Sequence, residues 1–195
     1  MAGLQCNATA IPGVLLLSAD VYGDERGYFR EVYRRDRYAA VGIPDEFVQD
    51  NQSHSVRGVL RGLHYQIRRP QAKLVGVVRG AIFDVVVDLR RGSPAFGRHV
   101  ALELTDAEHR LLFVPTGCAH GFCVLSPEAD VLYKCTDFYD PGGEGGVLWS
   151  DPALAIPWPI AAPLLSPKDR SHPRLADIPL HLLPVWTPAA GGPAI

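Results

Sequence analysis

The sequence predicts an all-β chain, packed as a sandwich or barrel with few and short helices. Three observations carry that expectation. Runs rich in Val, Leu, Ile and Phe recur about every 8–12 residues through the middle of the chain. Turn residues punctuate them: the 195 residues include 19 glycines and 17 prolines, while 47% apolar content supplies a packed core rather than a disordered polymer. Strands and helices do not alternate, and no glycine-rich phosphate loop follows a strand, which argues against a doubly wound nucleotide-binding sheet.

In chain order, Arg34–Val41 (RRDRYAAV) is the one helical stretch, ended by Gly42. Strands are expected at Lys73–Val78, Ala81–Leu89, His99–Leu104, Leu111–Val114, Gly121–Leu125 and Val131–Thr136, separated by Arg79-Gly80, Arg91-Gly92-Ser93-Pro94, Pro115-Thr116-Gly117 and Ser126-Pro127. Val100–Leu104 alternates, which suits a half-buried strand. Ile82–Asp88 is nearly continuous in apolar residues, which suits burial on both faces between two layers. From Asp151 the chain is rich in proline (152, 157, 159, 163, 167) and is expected to wrap the outside. One domain over 1–185 is expected, then a flexible tail over 186–195, with Thr187–Ile195 made of small residues, Pro and Gly.

The formal charge of −2, from 19 basic and 21 acidic side chains, lacks the excess of a nucleic-acid-polymer binder. No run approaches the ~20 apolar residues of a membrane span. Met1–Leu4 lacks the basic-then-apolar pattern of a secretory signal, so a cytoplasmic protein is expected. Cys6, Cys118, Cys123 and Cys135 show no C-x-x-C spacing and are expected as reduced, mostly buried thiols.

Three polar islands interrupt the strand-like surroundings: Gln49–Ser53 with Gly58–Gln66, then Pro115–Phe122, then Tyr133–Tyr139 with Glu144 beyond. Residues two apart in a strand share a face, so Arg61 and Leu63 are expected on one side and Gly62 and His64 on the other, unless a bulge intervenes. Alone, His64 would suit a core histidine bonded to backbone. Arg61 and Lys73 weigh against that, because a β core does not accept long cations without anionic partners. His120 closes the pattern Pro115-x-Gly117-x-x-His120. This pattern resembles the second motif of the cupin superfamily, a double-stranded β-helix or jelly roll. Metal-binding cupins carry H-x-H and Glu in their first motif, whereas the matching place here is Leu63-His64-Tyr65-Gln66. Two histidines without a carboxylate at ligand spacing make a poor divalent site, and no metal is expected.

A longer set of strings follows in order: Asp24–Glu31, Gln49-Asp50-Asn51, Gly58–Gln66, Pro70–Val75, Pro115–Phe122, Tyr133–Tyr139, Trp149–Pro152 and Leu165–Asp169. Together they resemble the dTDP-4-dehydrorhamnose 3,5-epimerases, a branch of that superfamily, from about Ile11 to Asp177. The resemblance implies a homodimeric jelly roll that inverts two carbons of a dTDP-linked 4-keto-6-deoxy sugar without a cofactor. It implies His64 as base, Asp169 as the carboxylate on its other nitrogen, Tyr133 as acid and Lys73 as a cation at the C4 oxygen. Arg26, Arg61 and Lys168 match contacts to sugar or diphosphate. Glu31, Gln49 and Asn51 match positions near nucleoside and sugar, some supplied by the partner subunit. Tyr139 matches a residue stacked on thymine, and Phe29, His120 and Glu144 match further binding positions.

These residue types suit that chemistry. Hydrogens on C3 and C5 are α to the C4 ketone, so removing one gives an enolate and returning a proton on the opposite face inverts the centre. An imidazole, with an ordinary pKa of about 6.5, offers a lone pair near neutrality, and a phenol near 10 keeps its proton to give. A cation at the oxyanion supplies preorganised stabilisation. Phe138 stands where many relatives carry tyrosine, Arg68-Arg69 is more basic than expected, and the stretch beyond Asp177 is longer and apolar. Those departures leave nucleotide preference and partner contacts open. Three other readings remain: an epimerase acting at C3 or C5 alone, a non-catalytic nucleotide-sugar-binding jelly roll, and a metal-dependent cupin oxygenase, which the missing H-x-H disfavours.

Overall fold

The computed structural model describes residues 3–43 and 46–187. Among them the strands are β1 (Gln5–Ala8), β2 (Leu15–Ser18), β3 (Val21–Asp24), β4 (Gly27–Arg30), β5 (Gln49–Val56), β6 (Leu60–Gln66), β7 (Lys73–Arg79), β8 (Ala81–Asp88), β9 (His99–Thr105), β10 (Leu111–Val114), β11 (Cys118–Val124), β12 (Glu128–Cys135) and β13 (Glu144–Gly146). Two antiparallel sheets face each other, ordered β1-β2-β10-β7-β12-β5 and β13-β6-β11-β8-β9, and β3-β4 form a separate hairpin. This is the expected all-β sandwich, consistent with a jelly roll.

Side-chain parity decides what each strand buries. Val75 and Val77 of β7, Leu112 and Val114 of β10 and Val131 of β12 meet Ile82 and Val86 of β8 and Phe122 and Val124 of β11 between the sheets. The alternate residues of β8, Val85 and Val87, face outward into a second cluster with Leu63, Tyr65, Leu154, Ile178 and Leu183. The proline-rich segment after Asp151 therefore covers the outside of the five-stranded sheet, which explains why β8 lacks a polar face. Each fully buried Val or Leu contributes about 1.5–3 kcal/mol relative to exposure. A third cluster, with Tyr38, Ile43, Leu74 and Phe113, backs the six-stranded sheet.

The helix expected at Arg34–Val41 is α1 (Arg35–Ala40), and a second short helix, α2 (Pro167–Arg170), starts behind the N-cap Ser166. Strand β5 escaped the apolar pattern because its sequence, QDNQSHSV, turns polar residues inward as well as outward. All four cysteines are free; Cys118, Cys123 and Cys135 are buried and Cys6 is half-buried. At the start of the expected tail, the Trp186 backbone N–H donates to Arg91 O at 2.9 Å and its ring covers the Arg90 guanidinium at 4.3 Å. The rest of the expected tail, from 188 onward, lies outside the described residues.

Candidate active site

At one end of the sandwich the inward positions are polar instead of apolar. Gln49, Asn51 and Ser53 of β5, Lys73 of β7 and Tyr133 and Cys135 of β12 line one wall; Arg61 and His64 of β6 and His120 of β11 line the other. The resulting cleft has two adjoining lobes of about 260 and 290 Å³ that share His64, Lys73, Tyr133, Tyr139 and Glu144.

Strand β6 departs from simple alternation. His64 lies opposite His120, but Arg61 lies opposite Phe122, so the register shifts between them. At the shift Gly62 takes φ +126°, and a Cβ there would fall 2.6 Å from Gly121 Cα. Leu63 turns outward into the second cluster, and Arg61 and His64, three residues apart, both reach the cleft. The bulge thus replaces the expected pairing of Arg61 with Leu63.

Asp169 comes from α2, 105 residues further along the chain, and its Oδ1 lies 2.6 Å from His64 Nε2. The Ser166 hydroxyl accepts the Asp169 backbone N–H at 3.1 Å and fixes the helix start. Burial pushes the Asp169 carboxyl up, but the His172 ring, its Nε2 3.7 Å away, and the His64 hydrogen bond outweigh it and hold the group well below the usual carboxylate range. An ionised Asp169 accepts the Nε2–H and leaves Nδ1 with the lone pair.

Across the cleft, burial raises the Tyr133 phenol, which keeps its proton through neutral pH. Burial lowers the Lys73 ammonium, against the opposing pull of Cys135, Glu144 and Asp84. The His120 ring bonds the fully buried Asp84 at 2.8 Å. Toward the rim, Glu144 accepts from both the Tyr139 hydroxyl and Lys168. Gln49 Oε1 accepts the Tyr139 backbone N–H at 2.9 Å, and Gln49 donates to Asn51 at 3.0 Å. His64 and Tyr133 thus stand on opposing sheets, with Lys73 on the strand next to that of Tyr133.

Residues 8–177 match the family model described as dTDP-4-dehydrorhamnose 3,5-epimerase. The chain belongs to this family. The dTDP-4-dehydrorhamnose 3,5-epimerase of Pseudomonas aeruginosa is 52% identical over 176 residues, covering 89% of this chain and 97% of that protein. A dTDP-6-deoxy-D-glucose-3,5-epimerase from Legionella pneumophila Philadelphia 1, solved with dTDP-4-keto-L-rhamnose, superposes with a TM-score of 0.92 at 47% identity, over 94% of this chain and 99% of that one. The dTDP-4-dehydrorhamnose 3-epimerase of Streptomyces niveus is 47% identical over 169 residues, 86% of this chain and 82% of that protein.

Of the residues matched to this epimerase family, His64, Tyr133, Asp169, Lys73, Gln49, Asn51, Arg61, His120, Tyr139, Glu144 and Lys168 line the one cleft. Arg26, Phe29 and Glu31 do not. Arg26 and Phe29 belong to the exposed β3–β4 hairpin, which joins neither main sheet. Arg26 pairs with Asp24, and Glu31 accepts from Arg37 at 2.8 Å. Sequence reasoning passed over Asp84 and His172. Asp84 left a usable signal, a carboxylate inside a run buried on both faces. His172 left none; its ring stands edge-on to His64, 5.5 Å between centroids, behind the dyad.

Proposed function

We propose that the chain converts dTDP-4-dehydro-6-deoxy-D-glucose to dTDP-4-dehydro-L-rhamnose by inverting C3 and C5 in turn. The observation that carries the proposal is the placement of the His64–Asp169 dyad and Tyr133 on opposing walls of one cleft. His64 Nδ1 takes the proton from the carbon, and the electron pair moves onto the C4 oxygen. Lys73 stabilises that enolate as charge develops. The Tyr133 hydroxyl then protonates the carbon from the other face, leaving a phenolate and an imidazolium that re-equilibrate through solvent. Arg61 and Lys168 supply cations for the diphosphate, and Tyr139 offers its ring to the base.

A homodimer belongs to the same proposal. Tyr22, Tyr28 and Phe29 leave the hairpin with large exposed rings, and Arg26, Phe29 and Glu31 have no place in their own cleft. A partner's cleft would give them one. Four free thiols favour a reducing compartment, the cytoplasm.

Incubation with the keto sugar nucleotide in deuterium oxide tests the reaction. Label at both C3 and C5 is expected. Label at one carbon alone would make the chain a one-centre epimerase, the second reading, the activity named for the 47% identical Streptomyces niveus relative. Absence of label at either carbon overturns the enzymatic reading in favour of a binding module.

A further inference from the structure

We propose that His64, Asp169 and His172 form a binding site for one borderline divalent transition ion of the Zn2+ class, and that its occupancy switches the base off. Asp169 Oδ1 lies 2.6 Å from His64 Nε2 and 3.7 Å from His172 Nε2, and the three ligand atoms all fall within 4.8 Å of one another. Two ligands on a tetrahedral ion with bonds near 2.05 Å stand about 3.3 Å apart, a separation that the two contacts bracket.

The second observation is His172 itself. Its side chain is only 10% exposed, and its Nε2 is buried without a hydrogen bond. An unpaired buried nitrogen is costly, and this one is aimed at a carboxylate rather than into apolar packing. The ring is seated by shape: it lies over Gly146, where a Cβ would overlap it, and meets the His64 ring at 75°. Two imidazoles and one carboxylate select Zn2+, Co2+, Ni2+ or Cu2+ over Mg2+ and Ca2+. His64 and Asp169 line the cleft beside Ser166 and Lys168, so the cluster borders open space on one side. The sequence-level objection to a metal, two histidines without a carboxylate, does not hold at this corner of the fold.

Blocking follows from tautomerism. The ion takes the His64 Nε2 lone pair, so the ring's single N–H proton must reside on Nδ1. The cleft is then offered a donor where the reaction needs an acceptor. The blocking step rests on the proposed role of His64 as base; the binding step does not.

Calorimetric titration of metal-stripped protein with Zn2+, with Co2+ visible absorption as a coordination readout, tests the site. One ion per chain is expected, with affinity lowered at least about tenfold in His172→Ala and restored by the thiolate of His172→Cys. His54, 2.8 Å from Asp130 and 3.5 Å from Glu128, is the competing location, and His54→Ala should leave this affinity intact. Solvent exchange into the substrate should fall as Zn2+ saturates the wild type, recover with a chelator, and stay near its own metal-free rate in His172→Ala. No binding, or equal affinity in His172→Ala, overturns the site. Binding that leaves exchange untouched overturns the switch and speaks against His64 as base, whereas absent exchange in metal-free protein speaks against the epimerase reading alone.

Discussion

Gly62 and Gly121 meet backbone to backbone across β6 and β11: a Cβ on Gly62 would stand 2.6 Å from Gly121 Cα and 2.9 Å from His120 O. This approach makes the register shift that turns both Arg61 and His64 into the cleft. Gly62→Ala should lower stability by about 1–3 kcal/mol and exchange activity at least tenfold, because the backbone must move where the base is held. Gly27→Ala is the control: Gly27 also has positive φ, +128°, but nothing lies within 4 Å. Urea midpoints and exchange rates of the two variants separate the clash from the dihedral strain.

Asp169→Asn should slow exchange by on the order of 10²–10⁴ with little change in KM, since a neutral amide neither fixes the tautomer nor stabilises the imidazolium. Stability should respond to pH with a definite sign. The folded carboxyl is depressed, so its contribution is complete above the ordinary value of about 3.9 and is lost as pH falls through and below it. The gap in urea midpoint between wild type and Asp169→Asn should narrow as pH falls below about 4.

His64→Ala should abolish exchange at both carbons. Tyr133→Phe removes the proposed acid and keeps the proposed base, so it should retain exchange yet lose net inversion. Equal, mild losses of both readouts in the two variants would contradict the assigned roles.

Lys73 predicts the alkaline limb of activity. Burial lowers its pKa, so rising pH should remove the cation proposed for the oxyanion earlier than an exposed lysine would lose its proton, while burial holds the Tyr133 proton to higher pH. Lys73→Arg should retain part of the activity and move the limb to higher pH, because a guanidinium stays charged. Lys73→Met should lose on the order of 10²–10³ in kcat.

The loop that presents Tyr139 is tied down on both sides. Arg68 forks onto Asp140 through two 3.0 Å bonds, and Arg69 forks onto Asp137 while covering the Phe138 ring at 5.4 Å. The arginine pair that stood out as unusually basic therefore faces two acids across the cleft rim. Arg69→Ala should raise KM about two- to fivefold with kcat nearly unchanged, the range of an exposed ion pair. The exchange of charges in Arg69→Asp with Asp137→Arg should recover part of that loss, and high salt should shrink the difference.

Strands β7 to β12 were legible because their inward faces are apolar and their turns are marked by Gly and Pro. Strand β5 was not, because its inward Gln49, Asn51 and Ser53 face the cleft, and a strand that lines a polar site carries no hydrophobic period. The two-sided burial of β8 was legible, and so was the outer wrap that causes it. The dyad was not visible in local pattern: 105 residues separate His64 from Asp169, and only the family strings joined them. His172 sits in a stretch with no periodicity, so nothing short of the folded geometry brings it to Asp169.

Asp169 belongs to neither sheet. It rides on the segment that closes over the sandwich, anchored where Leu164 N donates to Gly58 O at 2.8 Å and Leu164 O accepts from Leu60 N at 3.0 Å. A nascent chain can therefore fill the cluster between its sheets while His64 remains an idle imidazole of either tautomer, though Leu154, Ile178 and Leu183 of the outer cluster wait on the same segment. Competence toward the sugar arrives last during synthesis, when that clasp shuts. It should likewise be the first property surrendered on gentle denaturation, before the strands themselves come apart.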